Sequence, residues 1–337
     1  MRGRMKLFAL IVVLSLGLIL PAQSVAKKIN MPTYFTPTDV ERCLPKFISV
    51  VSEVTDGAVD IKPFPINALI PIKDYLEATR RGAVKVSLFP EGYYEKQVPV
   101  STIASGLPFA CRDLDEARYF MREKGFVDLL RKAYLKLGVY IIPYETYRVG
   151  LMTNKPITKM DDFKGMKLRS YGPFAEWLMK MGASTIYIPG GELYTALSTG
   201  VVEGAHWGDA GPMYVMRFHE VLKNYMVPEP VVSWASLAFN LKFWESLTPR
   251  QRTMIETAAM GCGNAVSSSA TRILGKSSLY KMVDEAGVTV NVLPEAEVEK
   301  MQAASMKVWE DVAKKDELSA KGIDLLKVYM KELGYLK

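Results

Sequence analysis

Histidine is nearly missing from this chain. His206 and His219 are the only two in 337 residues, and they stand thirteen apart, a spacing that does not place two imidazoles on one helix face. Without a third histidine or any CxxC pair, a catalytic zinc site would need unusual ligands, and both histidines read more simply as structural or surface side chains. Cysteine is as scarce: Cys43, Cys111 and Cys262 are scattered, leave room for at most one disulfide, and read as small buried side chains. The chain has no GxxxxGK phosphate loop, no GxGxxG after a strand, no GxSxG elbow and no HExxH, so the usual signatures of nucleotide, hydrolase and metalloprotease chemistry are absent. It also lacks repeats, low-complexity tracts and any cluster of Lys and Arg interleaved with aromatics, which removes the electrostatic footprint that nucleic-acid binding needs. With a mean hydropathy of +0.05 and a single long uncharged apolar run, a polytopic membrane protein is excluded as well.

That run, Leu7 to Leu20, follows Arg2, Arg4 and Lys6 and precedes Pro21 and the small residues Ser24-Val25-Ala26. It reads as a signal peptide, residues 1–26, cleaved after Ala26, and so predicts a periplasmic protein; an uncleaved anchor would need roughly eighteen apolar residues. No cysteine follows the cleavage site to carry a lipid. Loss of the three basic residues lowers the formal net charge from +7 to +4, so most of the apparent basicity belongs to targeting.

The remainder alternates strand and helix signals, which is α/β patterning. Apolar residues near Met31 to Phe35, the alternating Val59-Ile61-Pro63, and the runs Gly82 to Leu88, Tyr147 to Met152, Thr185 to Ile188, Leu237 to Leu241 and Val288 to Leu293 predict strands. Helical spacing predicts helices over Asp39 to Thr55 and Asp74 to Arg81, and from a cap at Asp113 through Leu137 to a stop at Gly138. Further helices are predicted from Pro173 to Gly182, over Glu192 to Thr199, from Pro294 onward, and after Ile323. Two βαβ lobes are the simplest packing of these elements.

The segments that stand out are Tyr147-Arg148-Val149-Gly150, the run Asp161-Asp162-Phe163-Lys164-Gly165-Met166-Lys167-Leu168-Arg169, and Glu192 to Leu197 followed by Gly200-Val201-Val202-Glu203-Gly204 and Trp207-Gly208. Together with Phe64-Pro65 and Arg81 to Val84, they make the chain resemble the substrate-binding proteins of tripartite ATP-independent periplasmic (TRAP) transporters over nearly its whole length. The resemblance implies a two-lobed periplasmic binding protein fold with a hinge and an interdomain ligand cleft. Lobe I would hold residues 27–145 plus about 236–280, and lobe II residues 146–235 plus about 281–337 with the long C-terminal helices.

An arginine presents a rigid fork of donors that pairs both oxygens of a carboxylate, the group that a binder of small organic acids needs at a strand end facing a cleft. Arg169 matches the arginine that clamps the ligand carboxylate in this family, and Arg148 matches a second ligand-directed arginine, with a surface ion pair as the alternative for each. Trp207, where dicarboxylate and sialic-acid binders tend to carry Asn, points to the branch that binds 2-oxo or 2-hydroxy monocarboxylates. In that branch an aromatic here and a Glu-Pro pair like Glu229-Pro230 help to hold the ligand through a cation, which implies Glu229 and Trp207 at a Na⁺ or Ca²⁺ that bridges the ligand; a solvent-facing loop glutamate is the alternative. Among the aromatics after strand signals, Tyr34, Phe35, Tyr93, Tyr94, Tyr171 and Trp207, the foremost candidates for the cleft wall are Tyr94, Tyr171 and Trp207.

Binding rather than turnover follows, with closed lobes recognised by TRAP membrane subunits, in a monomer or homodimer that needs no cofactor and no nucleic acid. Two rivals remain: a sensory binding protein feeding a receptor, and an exported enzyme whose base near Arg169 would be Glu192, Glu203, His206 or Asp209.

Overall fold

The structure, a computed structural model, describes residues 28–336; the predicted signal peptide lies outside the described residues. Among them no helix is long and apolar enough to cross a membrane.

Ten strands among the described residues carry the architecture: β1 (Ile29–Pro32), β2 (Ile61–Phe64), β3 (Val86–Pro90), β4 (Val139–Thr153), β5 (Lys167–Arg169), β6 (Ser184–Ile186), β7 (Gly204–Gly208), β8 (Asn224–Val227), β9 (Val231–Asn240) and β10 (Thr289–Val292). β4 and β9 run antiparallel from Val139 opposite Asn240 to Val149 opposite Val231, and each extends into both halves of the molecule. In the first lobe β9 pairs with β3 over Ala235 to Phe239, and a bridge from Thr33 to Leu88 brings in the parallel pair β1 and β2. In the second, β4 from Val149 to Thr153 pairs with β7, which continues into parallel β5 and β6, while β8 and β10 lie on its other side.

The length of β4 and β9 was only half visible in the sequence. All ten residues of β9 are buried, and β4 is buried along most of its length, so neither shows the polar alternation by which a half-exposed strand is recognised. The helix predicted over Asp39 to Thr55 is two, Pro37–Cys43 and Pro45–Val54, because Pro45 has no N–H to continue the first. The one predicted from Asp113 is likewise two, Leu114–Glu123 and Phe126–Leu135, parted by Gly125 at φ 81°.

Two further helical runs depart from the expected division of lobes. Pro249–Cys262 packs on Pro45–Val54 in the first lobe, passes through a π-helical turn at Gly263–Ser268, and continues as Ser269–Ala286 against Ala210–Val215 of the second. Residues up to about 280 therefore do not stay in the first lobe. At the C-terminus, Glu295–Ala313 packs on Gly172–Lys180 of the second lobe, but Glu317–Glu332 returns to the first, against Ser101–Ala104 and Phe126–Leu135. Its apolar face drives the return: Ile323, Leu326 and Tyr329 are buried, Tyr329 stacks on Phe120 at 6.0 Å, and Gly322 sits where a Cβ would be 2.6 Å from Ile103 Cδ1.

Candidate ligand-binding cleft

A cavity of about 500 Å³ opens between the lobes, walled by the crossing strands and by loops that leave the C-terminal ends of β3, β5, β6 and β7. Carboxyl ends of parallel strands are where α/β proteins bind ligands, since the following helices offer free N–H groups there.

Arg169, the last residue of β5, is 2% exposed, yet no carboxylate pairs with it among the described residues. Its Nε donates to the Ile188 carbonyl at 3.1 Å and its Nη1 to the His206 carbonyl at 2.8 Å, which fixes the plane of the fork and leaves Nη2 without a protein acceptor. The guanidinium lies 4.7 Å from the Trp207 ring, 5.1 Å from Tyr171 and 5.6 Å from Tyr187. These ring faces soften the burial of a positive charge but do not neutralise it, and burial pulls Arg169 below its ordinary value. A buried cation of this kind costs several kcal/mol unless an anion joins it.

The surrounding wall is built to hold that geometry. Gly190 begins the helix Gly190–Ser198, and a Cβ there would be 2.7 Å from Trp207 Cη2, so the glycine lets the indole lie beside Arg169. His206 stacks on Phe174 at 4.5 Å and shares a 2.7 Å hydrogen bond with Ser170 Oγ; burial, then Arg169, holds its pKa well below the usual value, so the ring is neutral. Tyr93 from the first lobe faces Tyr171 from the second at 6.1 Å.

Arg169, Tyr171 and Trp207 thus stand together on the cavity wall. Arg148 also lines it, but its guanidinium is engaged: Nη2 donates to the Arg112 carbonyl at 2.9 Å and Nη1 lies 3.7 Å from Glu229 Oε2. Glu229 is not on the wall; it takes that ion pair and a 3.0 Å hydrogen bond from the Tyr225 hydroxyl, which draw it away from the cavity. Tyr94 is not there either. Tyr93 and Tyr94 share one 3₁₀ turn and point to different sides, so Tyr93 reaches the cleft while Tyr94 packs edge-on to Phe89 at 4.5 Å in the first lobe's core. Among the described residues no group of three or more His, Cys, Asp or Glu side chains is arranged to hold a metal by itself.

Of the four candidate bases, Glu192 is exposed and Glu203 is engaged by Lys155 and the Lys167 N–H, both off the wall. His206 and Asp209 are on it. Asp209 caps the helix Ala210–Val215, accepting from the Gly211 N–H at 2.9 Å, and burial pushes it up to about 7. Two further wall residues escaped sequence reasoning. Tyr187 follows the short edge strand β6, and Glu145 sits in the middle of β4 at a break in its register, where nothing in the local pattern distinguishes it from a core position. Glu145 is 1% exposed, is bonded by the Tyr34 hydroxyl and by Thr271 Oγ1 (2.7 Å), and is raised by burial.

Two lobes joined by shared strands, with a cleft between them, are the build of a solute-binding protein. Residues 38–316 match the family of bacterial extracellular solute-binding proteins, family 7. The chain belongs to that family, the solute-binding proteins of TRAP transporters. It is 25% identical over 291 residues to a monocarboxylate 2-oxoacid-binding periplasmic protein of Nostoc sp., covering 84% of this chain and 78% of that one. It is 27% identical over 309 residues to the C4-dicarboxylate-binding periplasmic protein of Rhodobacter capsulatus, covering 89% and 88%. A TRAP transporter solute-binding protein of Bordetella bronchiseptica, whose structure holds copurified calcium and picolinate, superposes with a TM-score of 0.81 at 21% identity over 91% of this chain and 92% of that one.

Proposed function

We propose that this protein captures a small organic acid in the periplasm, by closing its lobes over a carboxylate paired with Arg169, and delivers it to TRAP membrane subunits. The observation that carries this reading is the buried, counterion-free guanidinium of a cavity-lining arginine, its plane set by two carbonyls and its Nη2 bonded to no protein acceptor. Tyr171, Tyr187 and Trp207 supply aromatic wall from the second lobe and Tyr93 from the first, and ligand contacts made to both lobes favour the closed state over the open one. The 2-oxo and 2-hydroxy acids expected from Trp207 are one subset of this class.

A cation that bridges the ligand would offset charge between the acid and the wall. Its free oxygen donor here is Asp209 rather than Glu229, which Arg148 already occupies. The role is binding without turnover: His206, the group closest to Arg169 with base chemistry, bonds to a serine off the wall and is oriented by no carboxylate.

Arg169→Ala tests the reading. It removes charge-assisted bonds worth roughly 1.5–3 kcal/mol each, so affinity for any acid found in a thermal-shift screen should fall at least about a hundredfold. Because the mutation also removes a buried charge, the melting temperature of the empty protein should not fall; unchanged affinity would refute the clamp.

A further inference from the structure

Arg169 is matched, on the same cavity, by buried charge of the opposite sign. Glu145 on β4 and Asp209 at the end of β7 both line the cavity along one face of the helix Ser269–Ala286. Thr271 of that helix bonds Glu145, and Gly275, one turn on, leaves the space that Asp209 fills: a Cβ there would be 2.5 Å from Asp209 Oδ2. Asp209 is 9% exposed, and while Oδ1 takes the Gly211 N–H, Oδ2 accepts no hydrogen bond from the protein.

No basic side chain of the wall hydrogen-bonds either carboxylate: Glu145 is held by the hydroxyls of Tyr34 and Thr271, and Asp209 feels Arg148 only through space. Arg169 has its own carbonyl acceptors, Arg148 is held by Glu229 and the Arg112 carbonyl, and Arg42 is exposed at the mouth. Buried carboxylates require either a cation or a proton. A keto oxygen or second carboxylate brought against them would add acceptor to acceptor, whereas an ammonium group offers three donors and a positive charge.

We propose that the acid bound in this cleft also carries a protonated amine, seated on Asp209 and Glu145, so that the ligand is zwitterionic. The proposal rests on the Arg169 reading and deepens it: one end of the cavity selects the carboxylate and the other selects the amine.

The test is calorimetric titration of the protein, in EDTA, with matched acids of four, five and six carbons bearing a 2-amino, an ω-amino, a 2-hydroxy or a 2-oxo group. At one chain length an amino acid should bind at least tenfold more tightly than its hydroxy and oxo counterparts, and Asp209→Asn should bring that ratio towards one. Tighter binding of the oxo or hydroxy acids, or their rise to parity with the amine when Ca²⁺ is added, would overturn the amine site and leave the Arg169 clamp standing. A ratio untouched by Asp209→Asn would overturn the assignment to Asp209. Failure of every acid to bind would instead overturn the Arg169 reading itself.

Discussion

Arg169 and Asp209 face one cavity, and each is expensive in the empty protein because its charge has been taken out of water. The carboxyl of Asp209 rises from an ordinary 3.8 to about 7, since burial favours its protonated form. The folded state therefore holds a proton that the unfolded chain gives up, and this stabilises the fold fully below pH 3.8 and is lost as pH rises through about 7. Asn keeps the helix-capping acceptor without the charge. Asp209→Asn should accordingly raise the melting temperature relative to wild type more at pH 8 than at pH 5; an equal difference at both would show that Asp209 is not linked to protons in this way. At this scale Arg169 was legible, because a run such as DDFKGMKLR marks its own strand end, whereas the choice between Tyr93 and Tyr94 was not: neighbours in one turn point to different sides, and only packing decides which meets the cleft.

Among the elements, the join between the helices Pro249–Cys262 and Ser269–Ala286 has the tightest fit. The π-helical turn at Gly263–Ser268 presses on β4, where a Cβ on Gly263 would stand 1.8 Å from the Tyr144 carbonyl oxygen, and Ser268 Oγ accepts from the Thr146 N–H at 3.1 Å. β4 breaks register at this same place, between Pro143 and Glu145. Backbone cannot yield as a flexible side chain does, so Gly263→Ala should cost about 3 kcal/mol or more, read as a lower urea midpoint. A loss well below about 1 kcal/mol would mean that the turn slides freely on the strand. The π turn could not be read in the sequence, since it rests against a strand more than a hundred residues away.

For the molecule as a whole, four segments among the described residues pass between the lobes: β4, β9, the long helical run from Pro249 to Ala286, and the join between Glu295–Ala313 and Glu317–Glu332. Closure about them should bring Tyr93 and Arg169 onto one ligand. Small-angle scattering should then show a smaller radius of gyration when a bound acid is added, and no change in Arg169→Ala; contraction in that variant too would separate closure from the clamp. The sequence by itself determined the α/β class and the arginine at the end of β5, because periodicity, caps and turn residues act over a few positions, but it carried no strand signal for β7 or β8. Tertiary structure alone decided that Glu317–Glu332 returns to the first lobe, that Arg148 is spent on Glu229, and that Glu145 and Asp209 face the same cavity as Arg169. Those outcomes depend on which buried face or charge finds a partner across the chain, and no local pattern records that.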